Sequence, residues 1–261
     1  MTISKYTIGI ISPAFESLNY EGHVMENEKI LVVSGRTYRE GFINGLRVVI
    51  LGCDMNASAV SLATLSLHHL YHVTHLIYMG FAGAVNEKLK VGDVVLATQM
   101  ATLNSSLNQE GKDKNKSIEI FMDSEVSNLL HQAAEQVISA SGTDPLISAE
   151  QELQFKLNAA PVVFCGLVGV GDPFYISPVK KQKALKLKPN LICFEKEGIA
   201  VALVGEQYAL PVGMIHLIVQ AADDMEQIDY APFITNVASR YIAEITFTFV
   251  HLFIELALIN K

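Results

Sequence analysis

The chain has 261 residues, half of them apolar and 18% charged, with a formal net charge of −8. That length carries one large core in a single domain, and that composition excludes a disordered chain. The negative balance excludes a sequence-independent grip on nucleic acid or anionic lipid, because phosphates are repelled on approach, and a small-molecule ligand fits better.

In chain order, apolar runs rich in β-branched residues predict strands over 7–11, 29–33 and 47–51, and helical periodicity predicts a helix over 57–70. Strands are expected over 75–79 and 91–97, a polar surface loop over 104–117, and a helix over 124–139. Strands over 162–168 and 191–194, a helix over 197–208, a strand over 212–219 and a long helix over 233–259 complete the pattern. Such alternation predicts one three-layer αβα domain over residues 1–261, with a mixed, largely parallel sheet between the helices. The last helix is interrupted by Glu244, His251 and Glu255, spaced seven and four on one narrow stripe, which argues against a membrane span. The rest of its surface needs cover from its own core or from a second subunit, so a homo-oligomer, dimer or higher, is expected.

Cys53, Cys165 and Cys193 are odd in number and lack CxxC spacing, so they read as reduced thiols of a cytosolic protein. The first fifteen residues hold one lysine and no apolar stretch ending in a small-residue cleavage site, so no signal peptide is expected.

In such a sheet, ligands sit beyond the carboxyl ends of strands. Gly80-Phe81-Ala82-Gly83-Ala84 follows a strand there, and its small residues fit either a tight turn or the close approach of a ligand. Gly169-Val170-Gly171-Asp172-Pro173-Phe174 reads either as a turn with a core aromatic or as a loop whose Phe174 stacks on a planar base. Glu195-Lys196-Glu197-Gly198 opens a helix, and Glu197 is either a dipole partner or a carboxylate for two vicinal sugar hydroxyls. His68, His72 and His75 have metal-chelating spacing only if their helix runs that far, with no carboxylate to accompany them.

Set in order, these segments resemble the nucleoside phosphorylases and nucleosidases, and most closely the methylthioadenosine/S-adenosylhomocysteine nucleosidases. The resemblance spans nearly the whole chain. It is carried by Ile8-Gly9-Ile10-Ile11, Asn44-Gly45, the Gly80–Ala84 run followed by Leu89-Lys90-Val91-Gly92-Asp93-Val94-Val95, Gly171-Asp172-Pro173-Phe174, Glu195-Lys196-Glu197-Gly198-Ile199-Ala200 and Leu210-Pro211. It implies cleavage of the N-glycosidic bond of a purine nucleoside, without metal or organic cofactor. It places Phe81, Ala82, Gly83, Phe174, Glu195, Lys196 and Glu197 around the substrate.

Departures from the family pattern concern the chemistry itself. Gln220 stands where the family has the aspartate that protonates the base, and an amide hydrogen-bonds a purine nitrogen without delivering a proton. Loss of a general acid forfeits about 10²- to 10⁴-fold in rate, roughly 3–6 kcal/mol of barrier. Asp223 and Asp224 lie close by in sequence. Ser17 takes the place of the water-activating glutamate, with Glu16 one position away, and Asp54 offers another carboxylate. Phosphorolysis fits less well, since Tyr78 and Phe81 replace the phosphate-binding arginine and serine, and Asp54 would repel an anion. Two functions therefore fit: a divergent cytoplasmic nucleosidase using Glu16, Gln220 and Asp223, or a non-catalytic nucleoside-binding, storage or assembly protein on the same fold.

Overall fold

The computed structural model describes residues 5–13, 25–52, 56–103, 118–140, 146–155, 157, 161–171, 177–222 and 229–259. Its first strand, β1 (Thr7–Ser12), is rich in β-branched residues and wholly buried, as a strand covered on both faces must be. An antiparallel meander follows: β2 (Glu26–Val33), β3 (Arg36–Ile43) and β4 (Leu46–Gly52). Its turns sit at Ser34-Gly35 and Asn44-Gly45, all four residues having positive φ, the backbone that two-residue hairpins need. β3 has no counterpart among the predicted strands, because its sequence, Arg-Thr-Tyr-Arg-Glu-Gly-Phe-Ile, hides the alternation under charged residues.

Helix α1 (Ala57–Tyr71) is capped by Asn56, whose side chain accepts from the Ala59 amide at 2.8 Å, and it ends at His72 in the left-handed region. Strand β5 (His75–Ala84) is ten residues long and nearly all buried. It corrects the expectation of a turn after residue 79: Gly80 to Ala84 continue the strand, Gly80 to Gly83 pairing with β10 and Gly83 and Ala84 with β9. Then come β6 (Val94–Thr102), β7 (Glu119–Phe121), α2 (Ser124–Ala140), α3 (Ala149–Gln154), β8 (Val163–Val170), α4 (Pro178–Leu187), β9 (Leu191–Glu195), α5 (Gly198–Tyr208) and β10 (Val212–Gln220). The chain closes with α6 (Tyr230–Phe233), a π-helical turn (Ile234–Ala238) and α7 (Ser239–Ile259).

All ten strands form one sheet in the order β10-β6-β8-β9-β5-β1-β4-β3-β2, with β7 on β6 and β10 paired a second time, to β5. That extra pairing closes β10, β6, β8, β9 and β5 into a ring. Five pairings are parallel and five antiparallel, so the sheet is evenly mixed. Alternate side chains feed two apolar clusters. Ile8, Ile10, Ile77, Met79, Leu217 and their neighbours pack with α2 and α7, while Ile11, Leu76, Tyr78, Met214 and Ile218 pack with α1 and α5.

By length and apolarity the helical stretch Ala231–Ile259 is able to cross a membrane, yet half of its most apolar window is buried inside the fold. Tyr241, Ile242, Ile245, Phe249, Val250 and Phe253 turn inward, and His251 and Glu255 are exposed. The chain's own core thus covers most of this helix.

Candidate active site

The ring closure brings separate segments to one place. β10 runs parallel to β5 with Leu217 opposite Phe81, Ile218 opposite Ala82 and Gln220 opposite Gly83, the register shifting by a bulge between Ile218 and Gln220. On its other side Gly83 pairs with Phe194 of β9. The backbone at Phe81–Gly83, at Gln220 and at the end of β9, which leads into Glu195, Lys196 and Glu197, thus adjoins at the ends of these three strands. Glu16, Phe174 and Asp223 lie outside the described residues, as do Ser17, Asp54, Asp224 and the 104–117 segment.

The bulge is held from below by the Val91-Gly92-Asp93 turn. The Gly92 amide donates to the Ile218 carbonyl at 2.9 Å, and the Ile218 amide donates to the Asp93 carbonyl at 2.8 Å. The Asp93 carboxylate, itself buried, accepts from the Lys90 amide at 2.8 Å and the Val162 amide at 3.0 Å. Burial pushes its pKa above the ordinary carboxylate value, and those two amides pull it partway back. Gly92, at φ 92°, supplies the backbone this clip needs.

Above the bulge, Gln220 is half-buried and its Oε1 is buried without a partner among the described residues. An acceptor in that state is completed by an N–H or O–H donor. The neighbouring side chains divide between the sheet's two faces. Phe81 belongs to the α2 and α7 cluster and Ala82 to the α1 and α5 cluster, both buried.

Glu195 and Glu197, two residues apart, have different surroundings. Glu195 is fully buried, and its carboxylate accepts from the amides of Glu197 (3.0 Å), Gly198 (2.5 Å) and Ile199 (3.1 Å). It thus caps α5 from the end of β9, satisfying amides that a helix start leaves unpaired. Glu197 stands at the head of α5 with 8% exposure and makes no capping bond of its own to that helix. Lys196, between them, is exposed.

Glycines permit this packing. A Cβ on Gly80 would lie 2.4 Å from the Tyr78 ring, and one on Gly198 would lie 3.0 Å from both that ring and Glu195 Oε2. Tyr78 thus fills the space between β5 and the start of α5. Cβ atoms on Gly169 and Gly171 would lie 2.8 Å from Leu191 and the Phe194 ring respectively, and the Gly171 amide donates to the Glu195 carbonyl at 2.7 Å. Both glycine runs serve close packing around the β9 end.

His216 belongs to the same constellation and was not among the expected residues. It is fully buried, its Nε2 is 3.8 Å from Glu195 Oε2, and its ring centroid is 5.8 Å from that of Tyr78. In sequence it is one histidine in an apolar strand, which reads as core. The signal available was the strand period, which places it on the face of Met214 and Ile218. His68, His72 and His75 do not share one helix face. α1 stops at Tyr71, so His75 begins β5 instead of continuing a helical stripe, and His68 packs on the Tyr208 ring at 4.3 Å between centroids.

A 5′-methylthioadenosine/S-adenosylhomocysteine nucleosidase of Shewanella piezotolerans is 24% identical over 227 residues, 87% of this chain and 91% of the relative. The Streptococcus pneumoniae nucleosidase of the same name, solved with a transition-state inhibitor, superposes with a TM-score of 0.70 at 25% identity, covering 93% of this chain and 97% of its own. The futalosine hydrolase of Helicobacter pylori superposes with a TM-score of 0.72 at 18% identity, covering 94% and 97%. The family model described as the phosphorylase superfamily matches residues 9–251, from the first strand into the last helix and through every segment of the β5, β9 and β10 site, and the chain belongs to that superfamily.

Proposed function

We propose that this protein hydrolyses the N-glycosidic bond of a purine-type nucleoside, resembling methylthioadenosine or S-adenosylhomocysteine, in the cytoplasm. The observation that carries the reading is that Gly83 pairs with Gln220 of β10 on one side and with Phe194 of β9 on the other, and β9 leads directly into Glu197 at the head of α5. The names of two relatives support it, both being 5′-methylthioadenosine/S-adenosylhomocysteine nucleosidases.

Hydrolysis at the anomeric carbon makes the sugar cationic as the base leaves, so the protein must hold the sugar, stabilise the base and present water. Glu197 accepts hydrogen bonds from the vicinal hydroxyls, and its charge favours the cationic sugar. Gln220 completes its Oε1 on a purine N–H and donates from its amide nitrogen, without transferring a proton. Asp223 and Glu16 are assigned proton delivery and water activation, Phe174 stacking on the base, and Ala82, Gly83 and Lys196 the edge of the substrate. Glu195 acts behind Glu197. No metal or organic cofactor enters the scheme, and the assembly is a homo-oligomer, which light scattering measures.

A second reading has its own observation, the amide at position 220: a nucleoside binder without turnover. The test is incubation of pure protein with methylthioadenosine, S-adenosylhomocysteine, adenosine, inosine and uridine, with and without phosphate, and assay of free base. Release independent of phosphate is expected for the first two. No release from any of them favours the binder. Under the binder reading, base release appears only in Gln220→Asp, where the new carboxyl supplies the missing general acid, worth about 10²- to 10⁴-fold in rate.

A further inference from the structure

We infer that His216 is a positioning residue for Glu197, acting through Glu195, and that it does so in a pH-dependent way. The Glu195 oxygen that accepts from the Glu197 and Gly198 amides is Oε2, and the same atom lies 3.8 Å from His216 Nε2. That separation is too long for a hydrogen bond and short enough to become one with a small side-chain movement. Both His216 nitrogens are buried with no hydrogen-bond partner among the described residues. A buried imidazole so placed is a costly way to fill space, since a leucine or methionine would pack without unmet polar atoms.

The geometry defines two states. With His216 neutral as the Nδ1–H tautomer, Nε2 has no proton to donate, Glu195 stays on the three amides of α5, and the first turn of the helix holds Glu197 in place. With His216 protonated, its Nε2–H competes for Oε2 against the Glu197 and Gly198 amides, and the hold on the helix start loosens. The titratable groups on the elements packed against β10 are Glu195 and Cys193 from β9, Tyr78 and His75 from β5, Glu197 at the head of α5, and Glu125, His131 and Glu135 of α2, which packs at Gly213 on the opposite face of β10; β6 opposes His216 with Val95. Cys193 stays neutral, its thiol pushed well up by burial and then by Glu195, and Glu206 and Tyr208 lie at the opposite end of α5. Glu195 is thus the group that responds.

The coupling of His216 to α5 needs only this geometry; its consequence for the sugar rests on the functional reading above. The experiment therefore has two arms. In the first, NMR of the ligand-free wild-type protein follows the His216 ring and the Gly198 amide from about pH 8 to pH 5. The two signals are expected to titrate together, the Gly198 proton moving upfield on acidification as its bond to Glu195 lengthens. Independent behaviour of the two signals overturns the inference. In the second, kcat and KM for methylthioadenosine are measured over the same range in wild type and His216→Gln. An increase in KM of about fivefold on the acid side, with kcat following a separate profile, is expected in wild type and absent in His216→Gln. A merely structural histidine would leave the shape of the KM profile unchanged in the variant, and that result also overturns the inference. If the two NMR signals move together while no nucleoside is cleaved, the hydrolase reading fails and the latch stands.

Discussion

At the scale of single residues, a side chain's surroundings decide what a residue type can do. Glu195 and Glu197 share one chemistry and differ in role because one is enclosed by backbone amides and the other stands at the head of the helix. His75 carries a prediction of the same kind. Burial lowers its pKa below the ordinary 6.5, with Asp123 opposing more weakly, and its Nδ1 lies 2.9 Å from the Thr74 hydroxyl. Between the lowered value and 6.5 the unfolded chain binds a proton that the folded chain does not, so stability rises with pH through that window and falls on acidification. Urea unfolding of His75→Gln and wild type at several pH values should show a shallower acid loss in the variant. An equal slope in both would assign the loss elsewhere.

Whole elements show how local pattern and long-range packing compete. β1, β4 and β10 were legible because each is a nearly unbroken apolar run. The 80–84 segment was misread as a turn because glycine and alanine have poor strand propensity, yet β9 and β10 pair with it on either side and settle its conformation. α4 escaped notice because its lysines conceal any apolar face, only Ala184 being buried. The packing at β5 predicts that Gly80→Ala destabilises the protein by roughly 1–3 kcal/mol, because its methyl would meet the fully enclosed Tyr78 ring. Chemical denaturation measures that loss, and a change near zero would show that Tyr78 has room to move.

For the molecule as a whole, stability rests on two apolar layers around the sheet, and α7 seals the larger one. Phe249 is wholly enclosed there, so Phe249→Ala should cost about 3–5 kcal/mol and lower the midpoint of a single unfolding transition. If α7 unfolded separately, calorimetry would instead resolve two transitions. The sequence by itself determined the fold class, most strands and helices, and the family, because those depend on apolar periodicity and short motifs that neighbouring residues carry. Only the tertiary structure decided that Gln220, Gly83, Glu195 and His216 share one site, because their meeting depends on β10 pairing with both β6 and β5. Closure of a ring across more than a hundred residues leaves no local pattern, and a lone histidine in an apolar strand shows its partner only when the strands are assembled.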